Sequence, residues 1–149
     1  MRVQGLDDDI QGIIFDMDGL LVNSEKLYWD ANIQAAEEEN LGTPRDAYLK
    51  LTGATVKEMQ DFYHKYFKTE ADRDRFIKRT DDLVWQWTDE GKLKLQPGVQ
   101  EALDEFEKRG LKMAIASSNY ENVVQHAMWA TGIRNYFDFH LSYLDVQRG

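Results

Sequence analysis

The chain has 149 residues, of which 42% are hydrophobic and 12% aromatic, a formal net charge of −9 and no cysteine. That length fits one domain, or one core with an insertion, and the apolar content suffices for a packed interior. The acidic balance argues against non-specific nucleic-acid binding, which needs cations to neutralise phosphates, and the lack of cysteine excludes disulfides and thiolate metal sites.

No apolar run approaches the roughly 20 residues of a membrane span. The stretch around Asp7-Asp8-Asp9 lacks the apolar segment of a signal peptide. These features set the expectation of a soluble, cytoplasmic protein with neither a membrane nor a nucleic-acid partner. Acidity does not exclude a small phosphorylated substrate, because a bound metal and backbone N–H groups set the local sign of the potential.

In chain order, Gly12-Ile13-Ile14 reads as a short buried strand. It runs into Phe15-Asp16-Met17-Asp18-Gly19-Leu20-Leu21-Val22-Asn23-Ser24-Glu25. Strand geometry sends alternate residues to the same side, so Asp16 and Asp18 can both face a site beyond the strand tip. Two carboxylates held close repel unless a cation or a shared proton relieves them. Mg2+ suits such a pair, since it takes one or two protein carboxylates together with substrate oxygens and water. The pattern points to metal-assisted phosphoryl transfer.

Residues 24 to 40 read as a helix, with Leu27, Ala31 and Ala35 at four-residue spacing and Gly42-Thr43-Pro44 as its stop. A short helix over 45 to 50 precedes a break at Gly53. Thr55-Val56-Lys57-Glu58 is a capping box and opens a helix to about residue 67. A further helix covers 70 to 90, closed by Gly91. Residues 23–91 are therefore expected to form one helical insertion, set between core segments 1–22 and 92–149.

Pro97-Gly98 starts a helix over 98 to 109, which Gly110 stops. Leu111 to Ala116 reads as a second buried strand ending in Ser117-Ser118-Asn119, followed by a helix over about 121 to 130. Phe137-Asp138-Phe139-His140-Leu141 forms a third strand. Strands alternating with helices predict an α/β fold with a parallel sheet, whose ligands bind beyond the carboxyl ends of strands. Asp16-Asp18 and Ser117-Ser118-Asn119 both lie at such ends.

FDMDGLLVNSE resembles the first motif of the haloacid dehalogenase superfamily, in the subgroup with a helical cap after the first strand. PGVQEALDEFEKRGLKMAIASSN is similar to the segment leading to that family's second motif. The order of these segments agrees along the whole chain, and the nearest likeness is to phosphatases and β-phosphoglucomutase-like phosphomutases of small phosphorylated metabolites. The resemblance implies a Rossmann-like core with an α-helical cap. It makes Asp16 the nucleophile that forms an aspartyl-phosphate and Asp18 the general acid and base. It gives Mg2+ to Asp16 and the backbone carbonyl of Asp18. Ser117 would hold a phosphoryl oxygen, helped by main-chain N–H groups around Met17, Gly19 and Ser118, with Asn119 also on the phosphate side. The loop at Gly53 would reach over the substrate.

Related chains often carry Asp where Asn23 stands. They also continue past a stretch like Leu144 to Gly149 into a Lys-Pro segment, whose lysine neutralises the nucleophile and phosphoryl charge, and then to further acidic metal ligands. The resemblance thus implies little turnover from these 149 residues alone. Phosphate-monoester hydrolysis demands accelerations of roughly 10^21-fold, and nearly all of that is positioning and charge stabilisation.

Two alternatives accompany the hydrolase reading. A phosphomutase of this family carries a His where Tyr28 aligns and an Arg where Val56 stands, so both positions favour hydrolysis. A non-catalytic module that binds phosphate or a partner is the other alternative. An incomplete sheet exposes an apolar edge and face, which invites a homodimer through the core. The remaining conspicuous residues take plainer roles. Trp29, Trp85, Trp87 and Trp129 are expected to pack, His64, His126 and His140 lack ligand spacing, and Asp7-Asp8-Asp9 and Glu37-Glu38-Glu39 are solvated charge runs.

Overall fold

The computed structural model describes residues 4–5, 9–41, 45–51 and 54–143. Among the described residues three parallel strands form one sheet in the order β1-β2-β3: β1 (Gly12–Asp16), β2 (Lys112–Ala116) and β3 (Phe139–Leu141). The helices are α1 (Ser24–Glu38), α2 (Val56–Tyr66), α3 (Glu70–Asp89), α4 (Val99–Lys108) and α5 (Glu121–Thr131), with 3-10 helices at Arg45–Leu51 and Arg134–Tyr136. The alternation of strand and helix is an α/β architecture in which crossovers keep the strands parallel.

The chain divides into two compact units, residues 1–24 with 91–149 and residues 25–90. In the first, β2 is the central strand, and Met113, Ala114 and Ile115 are all buried. Fully buried Leu103 of α4 and Val124 and Met128 of α5 belong to the same unit. Phe15 lies 6.2 Å from the Phe106 ring of α4 and 6.0 Å from Phe137, edge to face.

The expectation that β1 is buried does not hold. Gly12, Ile14 and Asp16 are exposed and Ile14 is 70% accessible, because β1 is an edge of the sheet and one of its faces is open. Register places Ile14, Ala114 and Phe139 in one row across that open face. A shallow apolar concavity of about 300 Å³ lies there, lined by Gly12, Ile14, Lys112, Ala114 and Phe139 among others.

The second unit has its own core of Ile33, Ala35, Ala36, Tyr48, Phe62 and Phe76. Leu27, Ala31 and Ala35 are buried as their spacing predicts. Helix α1 ends earlier than the Gly42-Thr43-Pro44 signal, which lies outside the described residues. Asn40 adopts φ 54, and the Leu41 N–H reaches back to the Ala36 carbonyl at 2.9 Å. Asparagine tolerates this left-handed geometry and so closes the helix. The capping box at α2 is present: Thr55 Oγ1 accepts from the Glu58 N–H, and Glu58 Oε2 accepts from the Thr55 N–H at 2.8 Å. Two arginines of α3 pair with the end of α1, Arg75 with Glu39 and Arg79 with Glu38, each at 2.7 Å.

The tryptophans do not all pack. Trp85 is exposed, and Trp129 is 70% accessible. Trp129 lies on the outward side of α5 and stacks on His126, one turn earlier, with ring centroids 6.2 Å apart.

Candidate functional site

The carboxyl ends of β1 and β2 lie side by side, with Asp16 paired in register to Ala116. The chain leaves β1 through a tight turn in which the Met17 carbonyl accepts the N–H groups of Leu20, Leu21 and Val22. Gly19 makes the turn feasible with φ 77, a conformation costly for residues bearing a Cβ. Buried Met17, Leu21 and Val22 anchor it. The returning segment pairs with residues 94–96 as a short ribbon. Val22 bridges Leu95, the Asn23 N–H donates to the Lys94 carbonyl at 3.0 Å, and the Gln96 N–H donates to the Leu21 carbonyl at 2.9 Å. Asn23 Oδ1 accepts the Lys94 N–H at 2.8 Å, an acceptor role that Asp would fill equally well.

Within this frame the acidic pair divides its tasks. Asp16 is exposed, and its side chain has no hydrogen bond or ion pair among the described residues. Asp18 is half-buried with both carboxylate oxygens engaged: Oδ1 accepts from Ser24 Oγ at 2.6 Å and Oδ2 from Asn119 Nδ2 at 3.0 Å. Ser117 is buried, and its Oγ accepts the Asn119 N–H at 3.1 Å, which leaves the hydroxyl hydrogen to donate elsewhere. Ser118 is exposed on the same loop. The loop is braced from β3, since the Ser117 N–H donates to the Leu141 carbonyl and the Tyr143 N–H to the Asn119 carbonyl at 2.8 Å. His140 of β3 meets Glu121 of α5 at 2.7 Å, and this hydrogen bond, with a lesser one from Gln125, holds the Glu121 carboxyl below its ordinary value.

Asp16 at the tip of β1 and Asp18, Ser117 and Asn119 on the two loops beyond the strands thus lie together, and the Asp18–Asn119 bond joins the loops. Two donors beside the aspartates are engaged within the protein. The Gly19 N–H donates to the Val22 carbonyl at 2.9 Å, so it is committed to the turn rather than offered to a ligand. The Asn119 side chain donates to Asp18, a partner that its place in the loop did not reveal. Gly53 lies outside the described residues. Ser24 and Gln96, whose Nε2 donates to the Gly19 carbonyl at 3.1 Å, were not singled out from the sequence. Ser24 reads there only as part of the first motif and the start of a helix, and Gln96 lies 77 positions from Gly19.

Among the described residues no group of three or more His, Cys, Asp or Glu is arranged to hold a metal. Among the described residues the Asp16 carboxylate is a hard oxygen donor left unengaged and the Asp18 carboxylate is taken, and the resemblance adds the Asp18 main-chain carbonyl. That set suits Mg2+, which retains water and substrate oxygens as its remaining ligands. No helix among the described residues is long and apolar enough to cross a membrane.

Residues 13–149 match the family model described as Haloacid dehalogenase-like hydrolase. The chain is 27% identical over 129 residues to the phosphorylated carbohydrates phosphatase of Thermotoga maritima, covering 87% of this chain and 59% of that protein. It is 27% identical over 143 residues to pyrophosphatase PpaX of Oceanobacillus iheyensis, covering 92% and 61%. It spans about three fifths of the length of these relatives. Among solved structures it resembles CbbY from Rhodobacter sphaeroides in complex with phosphate, with TM-score 0.73, 22% identity, and 94% of this chain and 66% of that one covered. A predicted phosphoglycolate phosphatase from Haemophilus somnus gives TM-score 0.75 at 20% identity, with 93% and 65% covered. At these identities the structural likeness is one of fold, whereas the family model covers almost the entire sequence. The chain belongs to the haloacid dehalogenase-like hydrolase family.

Proposed function

We propose that the protein is a Mg2+-dependent phosphohydrolase of small phosphorylated metabolites, sugar phosphates among them. The observation that carries this reading is the meeting of the β1 and β2 loops at the carboxyl end of the sheet, with an Asp16 carboxylate unengaged among the described residues beside an Asp18 tied to Asn119. The names of the relatives, a phosphorylated carbohydrates phosphatase and a phosphoglycolate phosphatase of Mesorhizobium japonicum, support the substrate class.

In this reading Asp16 attacks phosphorus and forms an acyl phosphate, while the P–O bond to the leaving group breaks and Asp18 delivers a proton to that oxygen. Water then attacks phosphorus, Asp18 takes its proton, and phosphate leaves with Asp16 restored. The Ser117 hydroxyl holds a phosphoryl oxygen, and Ser118 lies beside it on the same loop. Mg2+ held by Asp16 and the Asp18 carbonyl would offset the negative charge of the phosphoryl group. The helical unit follows the first strand in sequence, where the family's cap stands, and we assign it that role. Tyr28 and Val56 favour hydrolysis over a phosphomutase reaction, because neither supplies the His or Arg of mutase relatives.

Asp16 has no cationic partner among the described residues, so slow turnover is expected from these residues alone. The test is Mg2+-dependent phosphate release from a panel of sugar phosphates, comparing the chain with Asp16→Asn. Release should disappear in the variant while its circular dichroism is unchanged. Equal release from both proteins would remove Asp16 from the role of nucleophile.

A further inference from the structure

Two tyrosines stand together at the carboxyl end of the sheet, where parallel sheets take their ligands. Tyr120 lies four residues past β2 and Tyr143 two residues past β3. Their rings meet edge to face, with centroids 5.3 Å apart and planes at 64°. Both stay open to solvent, Tyr120 at 58% and Tyr143 at 48%. Among the described residues neither hydroxyl has a hydrogen-bond partner. Rings left this open gain little from burial, so packing accounts for little of their presence.

The pair stands on fixed backbone. The Tyr143 N–H donates to the Asn119 carbonyl at 2.8 Å, and the Tyr120 carbonyl accepts the N–H groups of Val123 and Val124 at 3.0 Å as α5 begins. The same loop carries Ser117, and the Asn119 side chain reaches Asp18 at 3.0 Å. The tyrosines therefore share a rim with the candidate site. Neighbouring strands lie about 4.8 Å apart, so the end of β3 is roughly one and a half spacings, or about 7 Å, from a phosphoryl group seated between the tips of β1 and β2. A two-carbon acid ends short of that distance, whereas a sugar ring with its exocyclic carbon spans it. Rings set edge to face leave no parallel slot for a flat base. They offer an open ring face to the C–H side of a sugar and two hydroxyls to its hydroxyls.

We propose that Tyr120 and Tyr143 form the subsite for the leaving group, and that it selects phosphate monoesters whose body is an uncharged sugar ring. This rests on the phosphohydrolase reading and narrows it. Small phosphorylated acids engage only the groups around Asp16 and Ser117, so the tyrosines add nothing to their binding. A sugar phosphate engages the same groups and rests on Tyr120 and Tyr143 besides. Neither tyrosine takes part in making or breaking a bond, and both act on affinity rather than on the chemical step.

The test uses the chain with Mg2+ and three probes: orthophosphate, phosphoglycolate and glucose-6-phosphate. In 13C–1H spectra, the ring signals of Tyr120 and Tyr143 should shift with glucose-6-phosphate and stay in place with the other two. Tyr120→Ala and Tyr143→Ala should each weaken glucose-6-phosphate binding roughly tenfold and leave the other two affinities unmoved. Tyr120→Phe, which keeps the ring, should retain most of the affinity. Where glucose-6-phosphate turns over, the loss should fall on KM and not on kcat. An equal loss for all three probes would overturn the inference and make the pair a brace between the two loops. Ring signals of the parent chain that ignore glucose-6-phosphate would overturn it too, whatever the variants do. Ring shifts and a selective loss without phosphate release under any condition would withdraw the hydrolase reading and keep the sugar subsite. Phosphate release from glucose-6-phosphate that both alanine variants leave unchanged would keep the hydrolase and remove the subsite.

Discussion

Gly19 follows Asp18 in the turn beyond β1. Its φ of 77 and its N–H bond to the Val22 carbonyl leave the backbone one path. A Cβ in that conformation costs roughly 1–2 kcal/mol. Gly19→Ala should therefore lower the chemical-denaturation stability by about that amount, read from urea unfolding, and should displace Asp18 from Ser24. An unchanged urea midpoint would show that the turn adjusts without strain. The aspartates themselves were legible in the sequence, because Asp16, Asp18 and Gly19 fall within four consecutive positions and follow an apolar run. The clamp was not, because Asn119 meets Asp18 across 101 positions. Periodicity places residues on a face, but it does not say which donor faces which oxygen. The same limit hid Gln96, and it made the Gly19 amide look available when the turn already used it.

Helices were read well where local chemistry decides them and less well where the stop signal is weak. The Thr55 and Glu58 capping box is a contiguous pattern and formed as read. The end of α1 was misplaced because a left-handed Asn40 gives a fainter signal than a Gly-Thr-Pro run. Charge pairing between elements lay beyond the sequence altogether, since Glu38 and Glu39 read only as a solvated run. Their hydrogen bonds to Arg79 and Arg75, respectively, hold both carboxyls below the ordinary value of 4.5. A depressed folded value means that the pairs add stability above the ordinary value, and that this is lost as pH falls through the depressed one. Both pairs are exposed, so the effect is small. The double variant Arg75→Ala, Arg79→Ala should unfold at slightly lower urea than the parent at pH 7. That difference should fade on acidification below 4.5, and a gap that persists at low pH would assign the arginines a packing role instead.

At the scale of the molecule, the parallel sheet and the strand-helix alternation followed directly from the apolar runs and the Gly stops. Which strand lies at an edge did not follow, because the strength of an apolar run is blind to its neighbours, and β1 was read as more buried than it is. The row Ile14, Ala114, Phe139 leaves an apolar strip on one face, with Phe139 56% exposed. Apolar surface of this kind recruits hydrophobic dyes and partners. The 149-residue chain should enhance 8-anilinonaphthalene-1-sulfonate fluorescence, and Ile14→Ser with Phe139→Ser should remove most of that enhancement while the far-ultraviolet dichroism is retained. An unaltered dye signal would locate the accessible apolar surface elsewhere.

The ribbon between residues 22–23 and 94–96 carries a topological consequence. The polypeptide departs for the helical unit and comes back at points one hydrogen bond apart, since the Asn23 N–H rests on the Lys94 carbonyl. The core therefore meets that long excursion as though it were a hairpin loop, and its length bears on the core only through a slowly growing closure entropy. Insertions of very different size can be exchanged at such a junction without re-registering a single strand of the sheet. A chain built this way is free to change that excursion while leaving Asp16 and Asp18 where they stand.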